Sequence, residues 1–280
     1  MASDSESKVW LVTGCSSGFG RAIVRRALEA GHRVLATARN VENLAELQSE
    51  FPETCRTIAL DVTDLAALPG RVAEARDAFG RIDVLVNNAG QGLIGALEEC
   101  SDADIAANMA VNFFGPLHLM RAVLPLMRQQ GAGHIVNLSA AAAISNYPGF
   151  AIYGAAKAAL EYASEAVKAE VGPHGVKVTL VEPGPFRTDF IGRSMARASG
   201  SVEAYAGTSG RFAKLLEGMN GKQVGDPDKA AEVIVTMVTE GKAPLRLPLG
   251  KYAVKKVKDR AAASVREVEA WESVVAATDF

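Results

Sequence analysis

Six short apolar runs rich in β-branched residues alternate along this chain with longer amphipathic stretches, and that alternation restricts the fold more than any other feature. Parallel strands need a crossover of a dozen or more residues, usually a helix, so the pattern specifies a parallel sheet. Strands are expected at Val9 to Thr13, Arg33 to Ala38, Arg56 to Leu60, Val84 to Val86, His134 to Leu138 and Val176 to Val181. Runs such as Val84-Leu85-Val86 and Ile135-Val136 do not alternate with polar residues, as expected of strands covered on both faces. Helices are expected near 19–30, 41–50, 64–79, 102–129, 150–171 and 227–240. The fold class is α/β: one doubly wound parallel sheet with helices on both faces, a single domain over residues 8–249.

Three segments depart from the alternation. Residues 1–7 are polar and read as a frayed tail. Residues 184–226 are too long for an ordinary loop and read as a helical lid. Residues 250–280 form a helical extension with a basic start, Lys251 to Arg260, and a periodic row of Val265, Val268, Trp271 and Val275. Two readings stand for it, a docked terminal helix with a solvated face and a partner-binding helix, the first being favoured.

Composition excludes several partner classes. Thirty Lys plus Arg against 32 Asp plus Glu give a formal charge of −2, which supplies no overall attraction for nucleic acid or an anionic membrane. No run approaches the 18 apolar residues of a membrane span. Cys15, Cys55 and Cys100 lie far apart and the four histidines never reach ligand spacing, so no metal is expected. Sparse cysteines and an N-terminus without signal-peptide character point to the cytoplasm.

After the first strand comes Thr13-Gly14-Cys15-Ser16-Ser17-Gly18-Phe19-Gly20, then a helix. Glycines let the backbone turn sharply and approach a ligand, and the free N–H groups of a helix start attract a pyrophosphate. The spacing is G-x-x-x-G-x-G rather than G-x-G-x-x-G. The second strand ends Ala36-Thr37-Ala38-Arg39 with no acid before Glu42, so NADP is favoured over NAD: a carboxylate there would hold a ribose hydroxyl, whereas a guanidinium suits a 2′-phosphate. Arg39 as a plain surface residue is the bland alternative.

Tyr153 and Lys157 lie four apart in a helical stretch and share a face. An ammonium about 4 Å from a phenol, at an effective dielectric of about 20, is worth about 4 kcal/mol. That corresponds to lowering the tyrosine by about 3 units, toward the range where a general acid or base works, with desolvation left out of the sum. Ser139 stands at the carboxyl end of the fifth predicted strand, and Asn87-Asn88-Ala89-Gly90 at that of the fourth, where open α/β sheets present ligand-binding groups. Asn112 is a polar residue in an otherwise apolar helical stretch.

From about Lys8 to about Leu247 these features together resemble the short-chain dehydrogenase/reductase family: the T-G-x-x-x-G-x-G turn, Asp61-Val62, N-N-A-G, the Asn112 region, Ser139, Y-x-x-x-K and Pro183-Gly184. The resemblance implies a Rossmann-like fold in which Tyr153 exchanges a proton with the substrate oxygen, Ser139 positions that oxygen, and Lys157 holds the nicotinamide ribose while lowering the tyrosine pKa. It implies that Asn112 holds a helix distortion and a water of the proton relay. The cofactor would be bound by Gly14, Ser16, Ser17, Gly18, Phe19 and Gly20 of the turn, by Arg39, by Asp61 and Val62 at the adenine, and by Asn88, Ala89 and Gly90. Pro183, Gly184 and Thr188 would lie beside the nicotinamide. The turn and Arg39 look like the NADP-preferring branch, and turn and lid together look like relatives acting on steroids, retinoids and similar apolar carbonyls. Ser139 is followed by four alanines, Ala140 to Ala143, so polar support for the serine is expected to be thin.

The reaction expected is hydride transfer between NADP(H) and a ketone/secondary alcohol pair. Phe186, Phe190, Ile191, Met195, Tyr205, Phe212, Leu215, Leu216 and Met219 of the lid suit a hydrophobic small-molecule substrate or, equally, packing of the lid onto the body. Ala151, Ala155, Ala158, Ala159 and Ala166 on the 150–171 stretch would let a second helix approach, which points to a homodimer or homotetramer. The competing readings are a NADP-binding regulator or scaffold without turnover, which the intact Asn112, Ser139, Tyr153 and Lys157 set opposes, and a sugar-nucleotide epimerase, which would carry the other glycine spacing and a larger C-terminal domain.

Overall fold

A strand whose successive side chains must both be buried has to sit inside a sheet covered on its two faces. In β1 (Val9–Val12) Trp10 and Val12 enter one apolar cluster, with α1 (Gly18–Glu29) above them, while Val9 and Leu11 enter another on the opposite face. The computed structural model describes residues 7–279. Of the tail expected at 1–7, only Ser7 therefore falls within it, and its hydroxyl donates to the Gly31 carbonyl at 2.9 Å.

The chain continues through β2 (Arg33–Ala38), a 3₁₀ turn at Val41–Leu44, α2 (Ala45–Glu50), β3 (Cys55–Ala59), α3 (Leu68–Phe79) and β4 (Val84–Asn87). There follow β5 (Gly92–Ile94), α4 (Asp102–Met109), a π turn at Ala110–Phe114, α5 (Gly115–Gln130), β6 (Gly133–Leu138) and α6 (Ala141–Ile144). The last elements are α7 (Ala151–Val171), β7 (Val176–Pro183), β8 (Met195–Arg197), α8 (Ser209–Met219), α9 (Pro227–Thr239), β9 (Arg246–Leu249) and α10 (Gly250–Val275). Seven strands form one parallel sheet in the order β3-β2-β1-β4-β6-β7-β9. It is a doubly wound, Rossmann-like α/β sheet in a single domain. Between β1 and β4 the chain's direction of travel across the sheet reverses, and such a switch point opens a crevice at the carboxyl ends of the strands.

Several elements differ from the sequence reading. β9 was not expected, because Arg-Leu-Pro-Leu is short and contains a proline; it is tolerated at the sheet edge, paired on one side only with β7. The helix expected at 102–129 is interrupted by the π turn around Asn112, and the rod Asp102–Gln130 has the length and mean hydropathy, 1.2, of a membrane span. Its apolar face, including Leu119, Met120, Val123 and Met127, lies in the core against the sheet. The lid at 184–226 is only partly helical: α8 is its one α-helix, and β8 instead pairs in parallel with β5. The favoured docking of the C-terminal helix is also corrected. In α10 only Ala253 is buried, while Val265, Val268, Trp271 and Val275 are 53–63% exposed. Its first turns rest on β9, β7 and the short α6, and the sheet ends there, so the later turns run on past the edge of the sheet and stay exposed.

His134 shows how the buried sheet responds to acid. It is enclosed at the start of β6, its Nε2 2.9 Å from the Thr179 hydroxyl, and burial pushes its pKa down to about 4, with Lys177 and Lys8 acting in the same sense. Unfolded, it would titrate near 6.5, so between those values the unfolded chain binds a proton that the folded one refuses. Stability therefore falls as pH drops from about 6.5 toward 4. A thermal-melt series across that range is expected to show Tm declining, with a shallower decline in His134→Asn; parallel slopes would exclude this histidine as the cause.

Candidate active site

The turn after β1 is built to receive an anion. Gly14 has φ +69° and Gly18 φ +57°, and a Cβ on Gly14 would lie 2.9 Å from the Ala89 Cα. Gly20 is packed beneath the turn, where a Cβ would come within 2.4 Å of Asn88 Nδ2 and of the Gly14 carbonyl. α1 starts behind Ser17 with no side-chain cap and no acid in its first turn, which leaves its first N–H groups and the positive end of its dipole free for a phosphate. The turn is tied to the end of β4: Asn88 Nδ2 donates to the carbonyls of Thr13 at 2.8 Å and Gly14 at 3.1 Å, and Thr13 Oγ1 accepts the N–H groups of Asn88 and Ala89. The Asn88 side chain thus fixes the shape of the turn through the turn's backbone.

A cavity of about 630 Å³ opens over the carboxyl ends of the strands. Gly14, Ser16, Ser17, Gly18 and Phe19 form one wall, and Arg39, Asp61 and Val62 the far end. Asn88, Ala89 and Gly90 line the middle; Ser139, Tyr153, Lys157, Pro183, Gly184 and Thr188 surround the other end. Gly20 and Asn112 lie outside the wall. Arg39 is exposed and forms no salt bridge among the described residues. Partial burial raises the neighbouring Asp61, but the N–H and hydroxyl of Thr63 at 2.9 and 2.7 Å, and the charge of Arg39, hold it below the usual carboxylate range.

Tyr153 and Lys157 project from α7 into this cavity. Lys157 Nζ donates to the Leu138 carbonyl at 2.8 Å, and Ser139 follows Leu138 at the tip of β6. Asn112 is wholly buried within the π turn: its Nδ2 donates to the carbonyls of Gln91 at 2.7 Å and Asn108 at 3.0 Å, and its Oδ1 accepts the Gln91 N–H. A Cβ on Gly90 would be 3.1 Å from Asn112 Oδ1 and 3.4 Å from Lys157 Nζ, so both polar ends converge over that glycine. Four residues spread over 46 positions of sequence are in this way brought to one end of the cavity.

The expected acidification of Tyr153 is corrected. Burial pushes the phenol up, and it also pushes Lys157 down, to about 8, against the upward pull of Glu161. The Coulomb sum omitted the cost of enclosing the phenolate, and in a site whose tyrosine is 5% exposed that cost is the larger.

The cavity continues into an apolar chamber. Phe150 and Phe190 contact the Tyr153 ring at centroid distances of 5.2 and 5.6 Å, and Phe186, Ile191, Met195, Phe212, Leu215, Leu216 and Met219 also line it. Tyr205, expected among the lid residues, lies outside the wall. Tyr147, Tyr252, Phe150 and Gln223 are among the wall residues that escaped the sequence reading. Tyr147 stacks on Phe212 at 5.0 Å and bonds the Tyr252 hydroxyl from α10, with Lys256 over its ring at 3.3 Å. Phe150 precedes α7, and Gln223 is a buried amide whose side-chain atoms have no protein partner among the described residues. Glu161, behind the wall, accepts the Ser139 hydroxyl; its position one turn beyond Lys157 was the signal that could have revealed it.

Fold and site define a dinucleotide-dependent α/β oxidoreductase. Residues 8–198 match the family model described as short chain dehydrogenase, and the chain belongs to that family. It is 35% identical over 247 residues to a 3-ketodihydrosphingosine reductase of Bacteroides thetaiotaomicron, covering 88% of each chain. A short-chain dehydrogenase from Streptomyces avermitilis superimposes with TM-score 0.91 at 42% identity, over 98% of this chain and 100% of that one. A metagenomic short-chain oxidoreductase in complex with NADP superimposes with TM-score 0.69 at 30% identity, over 88% of this chain and 98% of that one.

Gly20→Ala tests the cradle. Its methyl would displace both Asn88 and the Gly14 carbonyl, so nicotinamide-cofactor affinity is expected to fall at least tenfold by fluorescence titration. Retained affinity would show that the turn does not bind the cofactor.

Proposed function

We propose that this protein transfers hydride between NADP(H) and a ketone/secondary alcohol pair on an apolar substrate. The observation that carries the reading is one cavity that joins an uncapped helix start and a glycine turn to the side chains of Ser139, Tyr153 and Lys157 and then to an aromatic chamber. The turn fits a pyrophosphate, because a Cβ at Gly14 would strike Ala89 and the first turn of α1 keeps its donors free. Bound there, the nicotinamide cofactor supplies or accepts the hydride.

The chain's own residues do the remaining work. Gly14 and Ser16 to Phe19 hold the diphosphate, and Asp61 and Val62 flank the adenine. Pro183, Gly184 and Thr188 bound the nicotinamide end, and Lys157 reaches the ribose. Tyr153 exchanges the proton with the substrate oxygen, and burial, which penalises the phenolate, keeps it in the protonated form that the reductive direction requires. Ser139 orients that oxygen, and Asn112 fixes the π turn beside Lys157. The chamber of Phe150, Phe190, Met195 and Phe212 excludes water and suits a bulky hydrophobic carbonyl, of which a steroid- or retinoid-like compound is one form. The relative named as a 3-ketodihydrosphingosine reductase supports a hydrophobic ketone.

Arg39 at the end of β2, beside no strand-terminal acid, supports NADP over NAD, as does the relative solved with NADP. Ala155, Ala166 and Tyr162 on the outer face of α7 are exposed and support a homodimer or homotetramer through that helix. Three unpaired cysteines support a cytoplasmic setting.

Tyr153→Phe is expected to leave below a tenth of the NADPH oxidation seen with aryl and cyclic ketones while changing NADPH affinity less than about twofold. Activity above that level would remove Tyr153 from the reaction. Arg39→Ala is expected to weaken NADPH at least tenfold, about 1.4 kcal/mol, with NADH affected little. Equal losses for both would refute the phosphate contact.

A further inference from the structure

The charges of α10 run against the helix that carries them. Five of the ten residues from Lys251 to Arg260 are Lys or Arg, whereas Glu267 to Val275 holds three Glu and no cation. A helix dipole favours acids at its start and bases at its end, and α10 has no acid in its first turn and no base in its last. Little within the molecule offsets this. Lys255 pairs with Asp259 and Lys256 lies over the Tyr147 ring, but Lys258, Arg260, Glu267, Glu269 and Glu272 form no salt bridge among the described residues. The same segment carries a seam. Val257, Ala261, Ser264, Val268, Trp271 and Val275 recur at intervals of four, three, four, three and four residues, the spacing by which one helix packs along another. Val268, Trp271 and Val275 are exposed. A helix whose charges oppose its dipole and whose seam faces water gains little from its own turns, and both features call for a second helix beside it.

We propose that α10 is an interaction surface for a second copy of this chain, the two helices packing antiparallel along the seam. Reversal brings the end with Lys258 and Arg260 of each helix beside the end with Glu267 and Glu272 of the other, so the start of each dipole meets the acids it lacks. It also sets the small Ala261 and Ser264 of one helix toward the large Trp271 of the other, which lets the seam close without a gap. A parallel pair would place like charges side by side. An anionic membrane fits the charge pattern less well, since Glu267, Glu269 and Glu272 flank the tryptophan and valines that would have to enter the lipid. The surface is a different one from the outer face of α7, and the inference stands apart from the reductase reading.

Trp271 reports on the seam directly, because the other tryptophan of the chain, Trp10, is fully buried in the sheet. In the full-length protein, acrylamide quenching of tryptophan emission is expected to fall as concentration rises from nanomolar to micromolar, in step with the mass read by sedimentation. The double variant Lys258→Glu with Arg260→Glu is acidic at both ends of the seam, and Glu267→Lys with Glu272→Lys is basic at both. Each is expected to associate through the seam at least tenfold more weakly than the parent protein, and an equimolar mixture of the two to regain the protection of Trp271, a recovery that also shows both to be folded. Quenching that is the same at every concentration would overturn the proposal, whether or not the protein forms an oligomer through another face. So would protection that ignores the charge reversals, or protection that appears only with vesicles of anionic lipid.

Discussion

All seven strands of the main sheet point one way, and both its faces are covered by helices; the site depends on that arrangement. Parallel strands present all their carboxyl ends at one edge, and the reversal between β1 and β4 parts the loops there. Gly14, Asn88, Ser139 and Pro183 come from β1, β4, β6 and β7 or the residues just after them, and they reach one cavity because the sheet aligns them. The glycine turn adds the second requirement, a backbone close enough to a ligand that no Cβ fits between β1 and β4.

Desolvation governs the chemistry of the enclosed end. Tyr153 and Lys157 are both held where their charged forms are penalised, so the phenol moves up and the ammonium down. Charges placed behind them act against this. Glu161 pulls Lys157 back toward its charged form, and the Arg246 guanidinium keeps two buried carboxylates paired. The polar machinery therefore extends one layer deeper than the cavity wall, through α7 into the edge of the sheet. A strand with only four residues, β9, carries the arginine on which that layer rests.

The aromatic chamber is assembled from segments far apart in sequence. Tyr147 before α7, Phe212 of α8 and Tyr252 of α10 meet at one side, so the C-terminal helix has a structural part in the chamber through its first turn. Its later turns leave the body and keep their valines and Trp271 exposed. The stripe that reads as a docking face is thus a continuation of the short docked stretch beyond the surface it covers.

How much could be read in advance follows from the range of each interaction. The periodicities that set β1 to β4, β6, β7 and the long helices are local, and so are the glycine turn, the end of β2 at Arg39 and the one-turn spacing of Tyr153 and Lys157; composition and order along the chain determined these. β9 was not legible, since a proline-bearing tetrapeptide becomes a strand only because β7 offers it an edge. The β5–β8 pair, the π turn at Asn112 and the exposure of α10 likewise depend on what lies beside them. The same holds at the site: residue types and spacing nominated the tyrosine, lysine, serine and asparagine, whereas the sign of the tyrosine shift and the partnership of Ser139 with Glu161 and Arg246 came from burial and from contacts across 22 and 85 positions of chain, which no local pattern encodes.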